Sequence, residues 1–343
     1  MTPVPLKTPA PPQGIIAALA TGFELVNARL ELILLPLALD LFLWLGPRVS
    51  ILHLVPPLAQ ALQDAALATG DTPAARANAD FLLTVLRESA AKFNMFAFLS
   101  TAPLGLPSLL ASRQPVALPA GAPLVWYVES LPQYLLLLGV FLLVGLFLGA
   151  LYFGGIAQQV RDRRVRWLVL LRQVWGDWAR LTALGALALV VVIVLGLPVV
   201  VLTGLILLFS PAIGVFVWVA GLSVVLWVLF YGCFALHGML LHRRGLFAAL
   251  WESARLIQIN LPPAATLLLL VVLINAGLAG VWSLPGEGSW LLLLGVAGHA
   301  LISTALFTAT FVFYQDRLRW WNEMRQSLQA RAEADRHGLN RKV

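Results

Sequence analysis

Asp40 is the residue of this sequence best placed to do chemistry. It lies about ten residues into the apolar run Leu30 to Leu45, and a carboxylate near the middle of a bilayer costs roughly 2.5–3.5 kcal/mol on insertion scales. Such a group is paired, protonated or set against a cavity. Its natural partner is His299, about nine residues inside Trp290 in a later apolar run. Ser303, Thr304, Thr308 and Thr310 continue a polar side of the same run, and Asn275 lies in the run before it. Asp40, Asn275, His299 and Thr304 therefore form a candidate intramembrane polar site, able to relay protons or hold a cation. The plainer alternative is a set of separate hydrogen bonds between packed helices.

A second candidate site is basic. Arg161, Arg163, Arg164 and Arg166 form a dense patch, and Arg243 and Arg244 close a later hairpin. Arginines at a membrane edge attract anionic headgroups, and the same residues serve as a topology signal. Enzyme signatures are missing: there is no H-E-x-x-H, G-x-S-x-G, G-x-x-x-x-G-K-[ST] or G-x-G-x-x-G. His299 and Ser303 are one turn apart but lack an obvious third group and oxyanion donors. The single cysteine, Cys233, excludes an intramolecular disulfide or a cysteine-built metal centre. No cofactor, metal or nucleic-acid partner is expected.

The elements that must carry these residues are membrane helices. The chain is 60% hydrophobic and 11% charged, against about 25% charged in a soluble domain. Its apolar runs are continuous rather than alternating, which favours helices over a barrel. The excess of +7 is a matter of loop asymmetry rather than of nucleic-acid binding.

Residues 1–13 are Pro-rich, are expected to be a disordered tail, and lack the pattern of a secretory signal. Residues 14–52 hold an amphipathic helix, with Ile15, Ile16, Leu19, Phe23 and Val26 at helical spacing, then the first span. Residues 53–131 regain charge and form an expected extracytoplasmic, mostly helical insertion, with helices near 57–69 and 73–99. Within it, residues 93–110, broken by Pro103 and Pro107, suit a re-entrant segment, an interfacial segment or a small ectodomain core. Val125-Trp126-Tyr127 suits an interfacial anchor. The second span is 132–155, where Gly145 and Gly149 suggest close packing.

Residues 156–236 hold the basic patch, a second amphipathic segment, and a run from Leu181 to Leu236 free of charge. As one helix that run is about 84 Å long, too long for one span, so it divides near Ser210-Pro211. Residues 237–315 hold a third amphipathic segment with Trp251 and Arg255, and spans near 262–282 and 290–315. Residues 316–343 form a basic helical tail with Trp320, Trp321, Met324 and Leu328 on one side. With six spans and both termini cytoplasmic, every Lys and Arg except Arg48, Arg76, Arg87, Lys92 and Arg113 falls inside.

Three stretches share one grammar: GIIAALATGFELVNARLEL from Gly14, VRWLVLLRQVWGDWARLTA from Val165, and GLFAALWESARLIQINLPP from Gly245. Aligned without gaps, Arg29, Arg180 and Asn260 coincide, each followed by Leu, while Asp40 aligns with Val191 and Val271. The expected fold is thus an all-α polytopic membrane protein, with six transmembrane helices in three hairpins, each preceded by a cytoplasmic in-plane amphipathic helix. Such units, with AALWESARLIQIN before a span, resemble bacterial six-span membrane proteins related to the membrane domain of glycerophosphodiester phosphodiesterases. The resemblance implies that fold in a bacterial cytoplasmic membrane; the phosphodiesterase catalytic domain has no counterpart here. The expected function is a non-enzymatic membrane subunit or lipid-interacting scaffold, with membrane lipids and a membrane-protein partner or second copy as partners. The alternatives are a small transporter using Asp40 and His299, and an intramembrane lipid-modifying enzyme.

Overall fold

The computed structural model describes residues 10–68, 73–113, 117–119 and 121–339. The chain begins with α1 (Ile15–Asn27), a 3₁₀ turn at Leu30–Ile33, and α2 (Leu34–Leu45). Pro36 sits in the first turn of α2, where its missing N–H leaves no intrahelical bond unmade, and Arg29 takes the non-helical φ −146°, ψ 71° at the break. These pieces run antiparallel to the last helix of the chain. The Gln13 N–H donates to Asp316 (2.7 Å), Gly22 lies against Ala305 and Ala309, and Trp44 stacks edge-on with Trp290 at 5.7 Å. The amphipathic α1 is therefore packed lengthwise on the bundle rather than set apart from it. The stretch expected as the first span is a 12-residue helix after a 3₁₀ turn.

Beyond α2 the chain makes β1 (Arg48–Ser50), α3 (Val55–Ala68) and α4 (Pro73–Lys92), a helical hairpin that ends at Lys92 rather than near 99. A 3₁₀ turn at Met95–Leu99 leads to the short α5 (Leu110–Arg113) and to β2 (Val125–Tyr127), which pairs in parallel with β1, Val49 opposite Trp126. This strand pair was not expected. The Val125-Trp126-Tyr127 triplet, expected as a membrane anchor, is one of its strands.

Long helices follow: α6 (Leu131–Asp162), α7 (Trp167–Leu207), α8 (Pro211–Gly232), α9 (Ala235–Leu241), α10 (Leu246–Ile259), α11 (Leu261–Trp282) and α12 (Leu292–Leu339). Several ends were legible. The Ser130 side chain caps α6 by accepting from the Gln133 N–H, and Pro211 and Pro262 lie in first turns. α6 stops at Arg163, which takes a left-handed φ of 55°. α7 is unbroken through Arg180, so the second amphipathic segment and the span after it are one helix. The tail continues the last span, as expected, through Leu339.

Five of these helical stretches are long and apolar enough to cross a membrane: α6, α7, α8 with α9, α11, and α12. Leu189, Val194 and Leu197 of α7 and Val215, Phe216 and Val219 of α8 point outward, as the lipid side of a membrane helix requires. The main core gathers Trp44, Tyr152, Phe153, Phe234, Phe311 and Tyr314 with Leu106, Leu109 and Leu110. The last three belong to the insertion, so part of it is core to the bundle. The bundle has two distinct ends. One carries Gln13, Arg161, Arg243 and Arg317; the other carries Trp44, Glu287 and Trp290, where the Trp44 indole donates to the Glu287 carbonyl at 2.9 Å.

Candidate functional site

Asp40 is fully buried, and its two oxygens are occupied. It accepts from the Ser108 hydroxyl and from the backbone N–H groups of Leu109 (3.0 Å) and Leu110 (3.0 Å). Those groups open α5, so the carboxylate caps a helix some seventy residues further along the chain. The same segment is anchored elsewhere. The Asn94 side chain accepts from the Val49 (3.1 Å) and Phe96 (3.2 Å) N–H groups, and Ser100 donates to the Leu106 carbonyl at 2.7 Å. A Cβ on Gly145 would lie 2.7 Å from the Leu99 oxygen, and one on Gly149 would lie 2.8 Å from Gly105 Cα. The paired glycines of α6 therefore admit a loop, not a helix. At 1.5 Å per residue they stand about 21 and 27 Å along α6 from Leu131, so residues 99–105 reach deep into the bundle. Residues 93–110 are divided between two cores: Met95, with Phe93 and Phe98, packs with Val49 and Val128, while Leu106, Leu109 and Leu110 join the main core.

Asn275 and His299 meet through Ser303. The Ser303 hydroxyl donates to Asn275 Oδ1 at 2.7 Å and lies 3.2 Å from His299 Nε2. Since the hydroxyl proton goes to the amide oxygen, His299 is not placed to withdraw it, and the trio ties α11 to α12. Nearby, the Arg113 guanidinium donates to the Ala279 carbonyl at 3.3 Å. Thr304 belongs to a different contact, accepting from the Tyr152 hydroxyl at 3.1 Å. Further along α12, Thr310 and His237 Nε2 are 2.9 Å apart. The expected four-residue site is thus resolved into three separate contacts: Asp40 with α5, Asn275 and His299 with Ser303, and Thr304 with Tyr152. Among the described residues, no group of three or more His, Cys, Asp or Glu is arranged to hold a metal.

The basic patch divides in two. Arg161 (2.9 Å) and Arg166 (3.4 Å) pair with Asp162, and Arg161 also donates to the Leu241 carbonyl at 3.4 Å. Arg243 reaches the buried Asp177 (3.4 Å) and Gln173, and Arg180 shares that carboxylate at 3.0 Å. These arginines hold α6, α7 and the α9–α10 turn together. Arg163 and Arg164, in the α6–α7 turn, face outward.

Arg244 lies in a different setting, a cleft of about 240 Å³ between α10 and the far part of α12. Its walls carry Arg244, Arg255, Arg317 and Arg325, with Trp251 and Trp321. The Arg255 guanidinium sits 4.8 Å over the Trp321 ring. Glu252 is the carboxylate of the cleft, accepting from the Tyr314 hydroxyl at 2.9 Å and lying 3.8 Å from Arg244. Arg317 is only 9% exposed, donates to the Gln13 carbonyl at 3.0 Å, and has no hydrogen-bond partner at Nε among the described residues. A cleft of clustered guanidinium groups flanked by tryptophans can hold an anion at a membrane surface. Arg255, Arg317 and Arg325 were absent from the sequence-based candidates. The signal was present, since Arg317, Trp321 and Arg325 recur every fourth residue on one helix face.

The two amphipathic segments beside this end share an outward apolar stripe. On α10, Phe247 and Trp251 are 78% and 73% exposed, while Ala249, Ser253 and Ile257 are buried. On α7, Leu168, Leu171 and Trp175 face outward in the same way. Comparison of the chain with family models, with curated proteins and with solved structures finds no match.

Proposed function

We propose that this chain is a non-enzymatic, multi-pass membrane protein that acts as a lipid-interacting scaffold or membrane subunit, its arginine-rich end facing the cytoplasm. In this reading the bundle crosses six times, the first crossing being the broken stretch from α1 to α2. The observation that carries the proposal is the outward stripe of Leu168, Leu171 and Trp175 on α7 and of Phe247 and Trp251 on α10 beside exposed arginines. An amphipathic helix with one side on the bundle and an apolar side outward belongs in the headgroup region, where tryptophan and arginine are favoured. The occupied carboxylate of Asp40 weighs against the transporter alternative, since both its oxygens already serve the fold.

The test is the lipid retained when the protein is purified from its native membrane in mild detergent. Anionic phospholipid should be enriched over the bulk membrane, and a stable partner or second copy should be recovered by cross-linking. A solitary monomer with lipid of bulk composition, which moves solute across reconstituted vesicles, would overturn the reading.

A further inference from the structure

We infer that the α10–α12 cleft is a binding site for a lipid headgroup carrying two phosphates, of the cardiolipin type. This rests on the lipid-interacting reading above and specifies its ligand.

Charge sets the demand. Four guanidinium groups line the cleft against one carboxylate, that of Glu252. Asp316, which accepts from the Gln13 N–H at 2.7 Å, offsets part of the Arg317 charge from behind. About two positive charges are left over, more than one singly charged phosphodiester balances. Arginine is suited to the task, because its planar fork of donors matches phosphate oxygens. Arg317 lines the same wall, held in place by its bond to the Gln13 carbonyl at 3.0 Å and by the Phe313 ring beneath its guanidinium.

Spacing argues for two phosphates. Arg317 and Arg325 are two turns apart on α12, about 12 Å along its axis, while Arg255 on α10 and Arg244 in the turn before it line the same cleft. Basic groups anchored over that length suit two phosphates joined by a short linker better than a single one.

Position argues for a lipid. Arg317 stands about 38 Å along α12 from Leu292, beyond a hydrocarbon core of about 30 Å and level with the headgroups. Asn260, where α10 gives way to α11, also lines the cleft, with Leu256 and Ile259 as its apolar side. Trp251 at its rim points outward. Basic pockets of this kind between membrane helices suit cardiolipin headgroups.

The experiment uses the full chain in nanodiscs of phosphatidylcholine containing either cardiolipin or phosphatidylglycerol at equal phosphate. Bound lipid is counted by native mass spectrometry after release. Cardiolipin should be retained at one per chain and at least about tenfold more tightly than phosphatidylglycerol, the scale of one charge-assisted contact. Arg255→Gln with Arg325→Gln, both exposed positions, should abolish the preference, whereas Arg163→Gln with Arg164→Gln should keep it. Equal retention of the two lipids, or a preference that survives in the Arg255→Gln/Arg325→Gln protein, overturns the assignment. Release of the lipid by micromolar inorganic phosphate would instead mark a site for a soluble anion, and would also overturn it. General enrichment of anionic lipid without the cardiolipin preference would sink this inference while leaving the scaffold reading in place.

Discussion

The Leu110 N–H donates to the Asp40 carboxylate at 3.0 Å. With the Leu109 N–H and the Ser108 hydroxyl, it turns a lone buried acid into the cap of the short helix α5. Replacing Asp40 with alanine leaves those buried donors unsatisfied and should cost about 3 kcal/mol or more, with Asp40→Asn losing about 1–3 kcal/mol. Unfolding in graded detergent should report both losses, with protease cutting first between residues 94 and 113. An Asp40→Asn protein of unchanged stability would show that the cap is dispensable.

Gly145 and Gly149 should be intolerant of a single methyl group, while Gly139, with nothing within 4 Å of its missing Cβ, should accept one. Overpacking costs about 1–3 kcal/mol, and here the obstructing atoms are partly backbone oxygens that cannot swing aside. Alanine at the three positions, compared by thermal aggregation in one detergent, gives the ranking. Equal midpoints would mean that residues 99–105 do not occupy that face of α6.

Ser303 is the pivot between Asn275 and His299. Ser303→Ala removes the donor to Asn275 and should weaken the α11–α12 contact by about 0.5–2 kcal/mol, in line with hydrogen bonds measured within membranes. A double-mutant cycle with Asn275→Leu reads the coupling directly. A coupling near zero would place Asn275 outside the contact.

The outward side of α10 should sense lipid. A polarity-sensitive fluorophore on Phe247→Cys, in a Cys233→Ser background, should shift to the blue on transfer from detergent to bilayers containing brominated lipid, and should be quenched there. The same label at Arg163→Cys should be quenched less. Strong quenching at 163 with none at 247 would reverse the proposed attitude of α10.

The sequence disclosed elements wherever a local rule decides them. Pro262 and Pro263 can only begin α11, which starts at Leu261, and Ser210-Pro211 separates α7 from α8. The charged tail kept its helical spacing and did extend α12. What stayed hidden depends on partners far along the chain. Arg180 marks no break in α7: the sequence around it holds no proline, and Gly176 and Gly185 are carried inside the helix by the Ala- and Leu-rich residues between and after them. Asp40 was legible as costly, but not its partner, because backbone N–H groups leave no mark in a sequence. The cleft was half visible, since the spacing of Arg317, Trp321 and Arg325 defines a face but not the helix opposite it.

The lengthwise pairing of α1 with α12 has a consequence for biogenesis. Gly22 must wait for Ala305 and Ala309, which leave the ribosome about 15–60 s later at ordinary rates of synthesis. Through that interval the stretch from α1 to α2 is short, interrupted and apolar and carries a carboxylate, without the helix that shields it. Its retention in the membrane then falls to the translocon or to a chaperone that holds incomplete bundles. A nascent chain halted before residue 292 should be far more prone to degradation than one halted after residue 320.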